Sequence, residues 1–326
     1  MKRVWTAAVC ALGLLLLILD TKTAVAGAYD GLMLCIRSVI PSLFPFFVLS
    51  GMLTGALIGA DLKVLAPVGR LCRMPKGSES ILLTGLLGGY PVGAQAISQA
   101  YDRGQLTRKD AQRLLGFCSN AGPSFLFGMV ACKFTSVKFT WALWAIHIVS
   151  AILTGILLPG KSSNSVSVAK KEMPDFSASM QSSLKAMATV CGWVILFRCI
   201  IAFLQRWFLW LLPTDAQISV IGILELANGC VSLDSIANER IRFIVCSGIL
   251  ALGGACVAMQ TASVTGKLGM GYYLYGKLLQ CIISLMLSSA VLGMYFGLIP
   301  ATIGTAIYLI LLKKQKNSSN RATVGV

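Results

Sequence analysis

Apolar residues in this chain come in long, nearly unbroken runs, without the alternation of strands or the narrow stripe of a surface helix. The runs lie at 4–19, 32–60, 81–101, 114–132, 139–158, 184–212, 217–237, 243–265 and 272–312, with short polar links between them. A helix crossing a bilayer needs roughly 20 apolar residues, and most of these runs meet that length. The pattern predicts an all-α polytopic membrane protein with about eight transmembrane helices plus two re-entrant or broken-helix segments in an inverted repeat.

The broken segments are marked by residues that a plain spanning helix has no reason to contain. The run 81–101 is interrupted at Gly88-Gly89-Tyr90-Pro91-Val92-Gly93. Glycine weakens a helix interior, and Pro91 lacks an N–H and pushes Tyr90 out of helical dihedrals. Backbone groups freed at membrane depth are tolerated only against protein or a watery cavity. A second interruption follows in 114–132, at Phe117-Cys118-Ser119-Asn120-Ala121-Gly122-Pro123-Ser124. The later half repeats the order: GLLGGYPVGA of residues 85–94 faces GILELANGCV of 222–231, and CSNAGPSFLF of 118–127 faces LALGGACVAM of 250–259.

Charge sharpens this picture. The composition has a mean hydropathy of +0.78 with 12% charged residues, outside the soluble globular range. The net charge of +16 is dealt out in small groups between apolar runs, which argues for membrane orientation and against nucleic acid. The links 61–80 and 102–113 are both basic, so a run 81–101 that turns back keeps both on one side. With 217–237 also re-entrant, both termini, these two links, the linker and the Lys313–Lys316 tail fall on the cytoplasmic side, and Arg240 and Arg242 outside.

The expected organisation is a first transmembrane helix or signal anchor at 1–24 and a first repeat at 25–158 with broken helices at 81–101 and 114–132. A polar linker at 159–183, a second inverted repeat with final helices at 184–312, and a basic cytoplasmic tail at 313–326 complete it. Lys2-Arg3, the apolar run and Ala24-Val25-Ala26 also fit a cleavable signal; we read the segment as retained. Thr107 with Asp110 fits a capping box that starts a helix near residue 108.

Candidate chemistry is sparse. The 11 Cys form no CxxC or Cys/His cluster and read as packing residues, and no metal site or cofactor is expected. His147, the one histidine, reads as a packing hydrogen bond. Arg37 reads as snorkelling from its run toward the interface. Of the acidic residues, Glu225 lies deepest in an apolar run, and an intramembrane carboxylate suggests a cation ligand, proton carrier or solute contact, against the bland reading of a structural pair with Lys or Arg. No catalytic set is present, so an enzyme is not expected. The candidate solute-binding residues are Tyr90, Gly93, Ser119, Asn120 and Ser124 from the first half, with Glu225, Asn228 and Gln260 from the second. Uncapped half-helix N-termini at the breaks would favour an anionic group there.

The phrases IPSLFPFF, GGYPVGA and CSNAGPSF, with ELANG and GGACVAMQ in the second half, resemble the YlbJ-type sporulation integral membrane proteins, a branch of the nucleoside-recognition or Gate-domain superfamily. That resemblance covers roughly residues 25–300. It implies a transporter-like helical fold with two opposed repeats and a link to endospore formation, and names no substrate. The reading that follows is a secondary transporter or exporter of a small polar solute across the cytoplasmic membrane, coupled to H+ or Na+, surrounded by membrane lipids and compatible with a homo-oligomer. The competing reading is a non-transporting membrane scaffold of sporulation or envelope assembly. Ferrous-iron permeation has only Cys118 and Glu225 to offer as ligands.

Overall fold

Every apolar run in the described residues is helical, and no strand occurs among them. The structure, a computed structural model, describes residues 2–57, 62–160 and 175–294 and the single positions 302 and 305. The first half contains α1 (Lys2–Leu19), α2 (Thr21–Leu34), α3 (Ile40–Leu57), α4 (Ala66–Leu71), α5 (Glu79–Gly88), α6 (Val92–Asp102), α7 (Arg108–Leu115), α8 (Pro123–Phe125) and α9 (Val137–Leu157). The second contains α10 (Phe176–Trp207), α11 (Thr214–Leu224), α12 (Leu226–Ser232), α13 (Glu239–Leu252), α14 (Gly254–Thr265) and α15 (Gly271–Leu292).

Five helical stretches are long and apolar enough to cross a membrane: Thr21–Leu53, Val137–Leu157, Phe176–Trp207, Glu239–Thr265 and Gly271–Leu292. The chain is therefore a multi-pass all-α membrane protein, with five such stretches among the described residues where about eight were expected. The difference has identifiable sources. α1 is apolar but shorter than a span, the helix expected in 114–132 is split at its glycine-proline break, and most of the final expected helix lies outside the described residues.

Element boundaries also move for local reasons. The helix expected from residue 32 begins at Thr21, where the Asp20 side chain accepts from the Thr23 N–H, and it runs through a π-helical turn at Cys35–Val39 into α3, which contains Pro41 and Pro45. A π turn offsets the backbone register by one residue, a common way to absorb a helix break. As a result Asp30 joins Glu225 as a carboxylate inside an apolar stretch, and Arg37 sits in mid-helix. α10 begins at Phe176, inside the expected linker 159–183, because a Ser-rich amphipathic first turn packs Ser179 and Ser183 inward. α7 starts at Arg108 under the expected Thr107 cap, whose hydroxyl oxygen accepts from the Asp110 N–H at 3.2 Å.

Two helical hairpins organise the interior. A continuous helix would hold Gly85 and Gly93 about 12 Å apart. Instead a methyl placed on Gly93 would lie 2.9 Å from the Gly85 Cα, so α5 and α6 fold back on each other about residues 89–91. α11 and α12 repeat this: a methyl on Gly229 would lie 2.4 Å from the Gly222 Cα, with the fold at Glu225. Each hairpin tip rests on a break in a later helix. In the first half that break is 116–122, where a methyl on Gly122 would meet the Gly89 nitrogen at 3.0 Å. In the second it is the α13–α14 junction, where a methyl on Gly254 would meet the Gly222 carbonyl oxygen at 2.9 Å. Gly122 and Gly254 occupy matching places in the two aligned phrases, and each meets the hairpin of its own half.

Candidate functional site

The site is built where these breaks converge. Tyr90 at the first hairpin tip, Ser124 just past the first-half break, Glu225 at the second tip and Gln260 on α14 all line one internal cavity, together with Phe47 and Gly89. The cavity volume is about 40 Å³. A water requires about 10–15 Å³, so the space is of the order of three waters. Ser124 is buried, and its hydroxyl has no hydrogen-bond partner among the described residues.

Glu225 is 2% exposed and forms the cap of its own half-helix. Its Oε1 accepts from the Ala227 N–H at 3.0 Å, and its Oε2 accepts from the Asn228 N–H and the Asn228 side-chain amide, each at 2.6 Å. This revises two expectations. The N-terminus of α12 is not an open anion site, because the carboxylate already occupies it. The structural partner of Glu225 is backbone and Asn228, with no Lys or Arg paired to it among the described residues.

Asn120 and Ser119 turn away from the cavity. The Asn120 amide donates to the Phe117 carbonyl at 2.7 Å, which points its Oδ1 at α15. There Lys277 and Gln280 meet it: Gln280 Nε2 donates to Asn120 Oδ1 at 3.0 Å, and Lys277 Nζ donates to the same oxygen at 3.4 Å, to Tyr90 OH at 3.1 Å and to Gln280 Oε1 at 2.7 Å. The Lys277 ammonium also lies 5.1 Å from the centre of the Tyr90 ring. His147 on α9 accepts the Ala121 N–H through Nε2 at 3.1 Å, which satisfies a donor freed by the break. Ser119 is buried without a partner among the described residues, and Gly93 serves the hairpin seam rather than the cavity wall. The eight expected residues thus divide: Tyr90, Ser124, Glu225 and Gln260 at the cavity, Asn228 behind Glu225, Asn120 at the lysine cluster, and Ser119 and Gly93 in packing. Sequence reasoning passed over Lys277 and Gln280. A lone lysine in the apolar stretch 271–292 was the available signal, since any ionisable group at that depth needs a partner.

A wider pocket of about 360 Å³ opens on the other side of α12, lined by Asp30, Arg37, Arg198, Gln205, Asn228 and Ser232 among others. Arg198 donates to Asp30 and to Gln205, each at 2.8 Å. Asn228 therefore stands between this polar pocket and the Glu225 carboxylate.

With this geometry in place, comparison with known proteins adds one relative. A stretch of 106 residues, 32% of this chain, is 37% identical to the sporulation integral membrane protein YlbJ of Bacillus subtilis (strain 168). Over that stretch the chain is similar to a YlbJ-type sporulation integral membrane protein. The aligned stretch covers 26% of the length of that protein. No family model matches the chain, and no solved structure matches it. The YlbJ likeness agrees with the resemblance carried by the glycine-rich phrases, and with the multi-pass helical architecture.

Proposed function

We propose that this chain is a secondary transporter or exporter of a small polar solute across the cytoplasmic membrane, linked to sporulation, with its site at the cavity between two oppositely inserted repeats. The single observation that carries the reading is the convergence of both hairpin tips on one cavity that holds a buried carboxylate and an unpartnered serine hydroxyl. Breaks used only for packing would not need to bring residues from both halves onto one shared cavity. The cavity of about 40 Å³ then corresponds to a closed state, since solute pockets run to about 300 Å³ and more. The 360 Å³ pocket beyond Asn228 is the natural approach to it. No nucleotide-binding loop is present in the sequence, which makes an H+ or Na+ gradient the economical source of energy.

The test compares Glu225→Gln and Asn120→Ala with wild type, first for membrane level and then for restoration of sporulation in a deletion strain. Metabolites that accumulate or disappear in the deletion strain supply the solutes for uptake into proteoliposomes. Loss of both restoration and flux at normal membrane level is expected. Full restoration by both variants would sink the transport reading and leave the scaffold role. The insertion is checked separately with single-Cys variants in 102–113 and 238–242: labelling of 102–113 from outside the cell rules out the arrangement with both basic links inside.

A further inference from the structure

Lys277 is 2% exposed, lies within a stretch long and apolar enough to cross the membrane, and pairs with no carboxylate among the described residues. Burying an ammonium with no counter-charge is expensive unless every N–H is satisfied. Here all three are. They are aimed at Tyr90 OH from the first hairpin tip, Asn120 Oδ1 from the first-half break and Gln280 Oε1 from α15 itself. These acceptors are neutral oxygens, the kind of ligand set that holds a bare monovalent cation, and the Tyr90 ring adds its negative face.

We infer that Lys277 is a tethered cation: its ammonium fills a cation site at the junction of the first hairpin tip, the first-half break and α15, and ties these three elements together in place of a bound metal ion. A neutral amine has only two N–H groups, so its contact with Tyr90 would reverse, the phenol O–H donating to the amine lone pair, and the junction loses its charge-assisted hydrogen bonds when the proton leaves. On the transport reading, and resting on it, the coupling ion at this junction is H+ and not Na+.

The ionisable groups around the ammonium are few. They are Tyr90 itself, Cys118 beyond α7, His147 on α9, and Tyr273 and Cys281 on the adjoining turns of α15. Three charged residues on the other packed helices are engaged elsewhere. Arg113 of α7 donates to the carbonyls of Cys72, Arg73 and Gly155; Glu239 of α13 accepts from Thr135; Arg242 donates to the carbonyls of Lys133 and Ile236.

The experiment needs no solute. Lys277→Ala is purified in detergent beside wild type, and thermal unfolding is followed in choline chloride, sodium chloride or methylammonium chloride at equal ionic strength. The variant should be less stable than wild type in choline and should gain about 5 °C or more, saturably, from methylammonium or sodium, as a ligand at many times its Kd provides. Wild type, whose site is already filled, should not respond. A Lys277→Ala protein that no cation stabilises overturns the proposal. So does a wild-type protein that sodium stabilises to the same extent as the variant. Should Lys277→Ala not fold, Lys277→Met fills the space without the charge, and a Lys277→Met protein as stable as wild type also overturns it. None of these results bears on whether solute crosses the membrane, which the Glu225 and Asn120 variants test.

Discussion

The two hairpins solve one problem in two ways. Both fold back through a glycine pair, Gly85 with Gly93 and Gly222 with Gly229, and both press their tips against a broken helix. At the second tip a single acidic side chain caps the following half-helix through backbone and amide donors, and the element is closed almost entirely by its own residues. At the first tip no side chain caps α6, and Tyr90 reaches across to Lys277 on a helix far along the chain. One tip is locally self-sufficient; the other depends on α15 for its hold. The lesson is that repeated backbones do not imply repeated chemistry: an anionic group serves one break and a cationic group the other, with the cavity between them.

This contrast can be broken at several points, beginning with the largest effect. A methyl on Gly85 would lie 1.7 Å from the Cys118 carbonyl oxygen, a backbone atom with nowhere to go, whereas a methyl on Gly222 meets the flexible Ile249 side chain at 2.4 Å. Gly85→Ala is therefore expected to give almost no monodisperse protein, a loss above about 4 kcal/mol. Gly222→Ala should fold with a loss of about 1–3 kcal/mol as Ile249 repacks; equal yields on gel filtration would show that the two seams are equally tight. Next, Glu225→Leu removes a cap and strands the Asn228 amide, and a loss of about 2–4 kcal/mol is expected in denaturant unfolding. Glu225→Gln, which keeps an acceptor, should lose less than half of that. Tyr90→Phe takes one oxygen from Lys277, with an expected cost of about 1–3 kcal/mol, and the double variant with Lys277→Met should cost less than the sum of the singles. Strict additivity there would mean that the first tip does not depend on α15. The smallest effect belongs to Asp234→Ala, which breaks the ion pair with Lys133 where Asp234 is 59% exposed: a change below about 1 kcal/mol, shrinking further in high salt.

How much of this was readable beforehand follows from which forces are local. Gly89, Pro91, Gly122 and Pro123 interrupt helices by their own stereochemistry, so the breaks are visible in the sequence, and the spacing of Gly122 and Gly254 in aligned phrases exposes the repeat. Glu225 is visible as a charge in an apolar run, but its role as a cap depends on a helix beginning at Leu226, one residue later than any pattern marks. Lys277 is visible as a letter and opaque as a site, because Tyr90 and Asn120, 187 and 157 residues away, reach it only through tertiary folding. The early start of α10 is hidden for the opposite reason. Its first turns are Ser-rich and carry too little apolar content to register as a span.

The contact between α2 and α10 has a mechanical consequence. A methyl on Gly27 would lie 2.9 Å from the Ala202 Cβ, and one on Gly31 2.9 Å from the Ile195 Cα, so the first long helix of each half meets the other backbone to backbone, with Arg198 clasping Asp30 beside the seam. Surfaces that interlock this closely have no layer of side chains on which to slide. The seam therefore leaves no slack between these two helices, and on the transport reading any opening toward the cavity would fall to the hairpins and not to this contact.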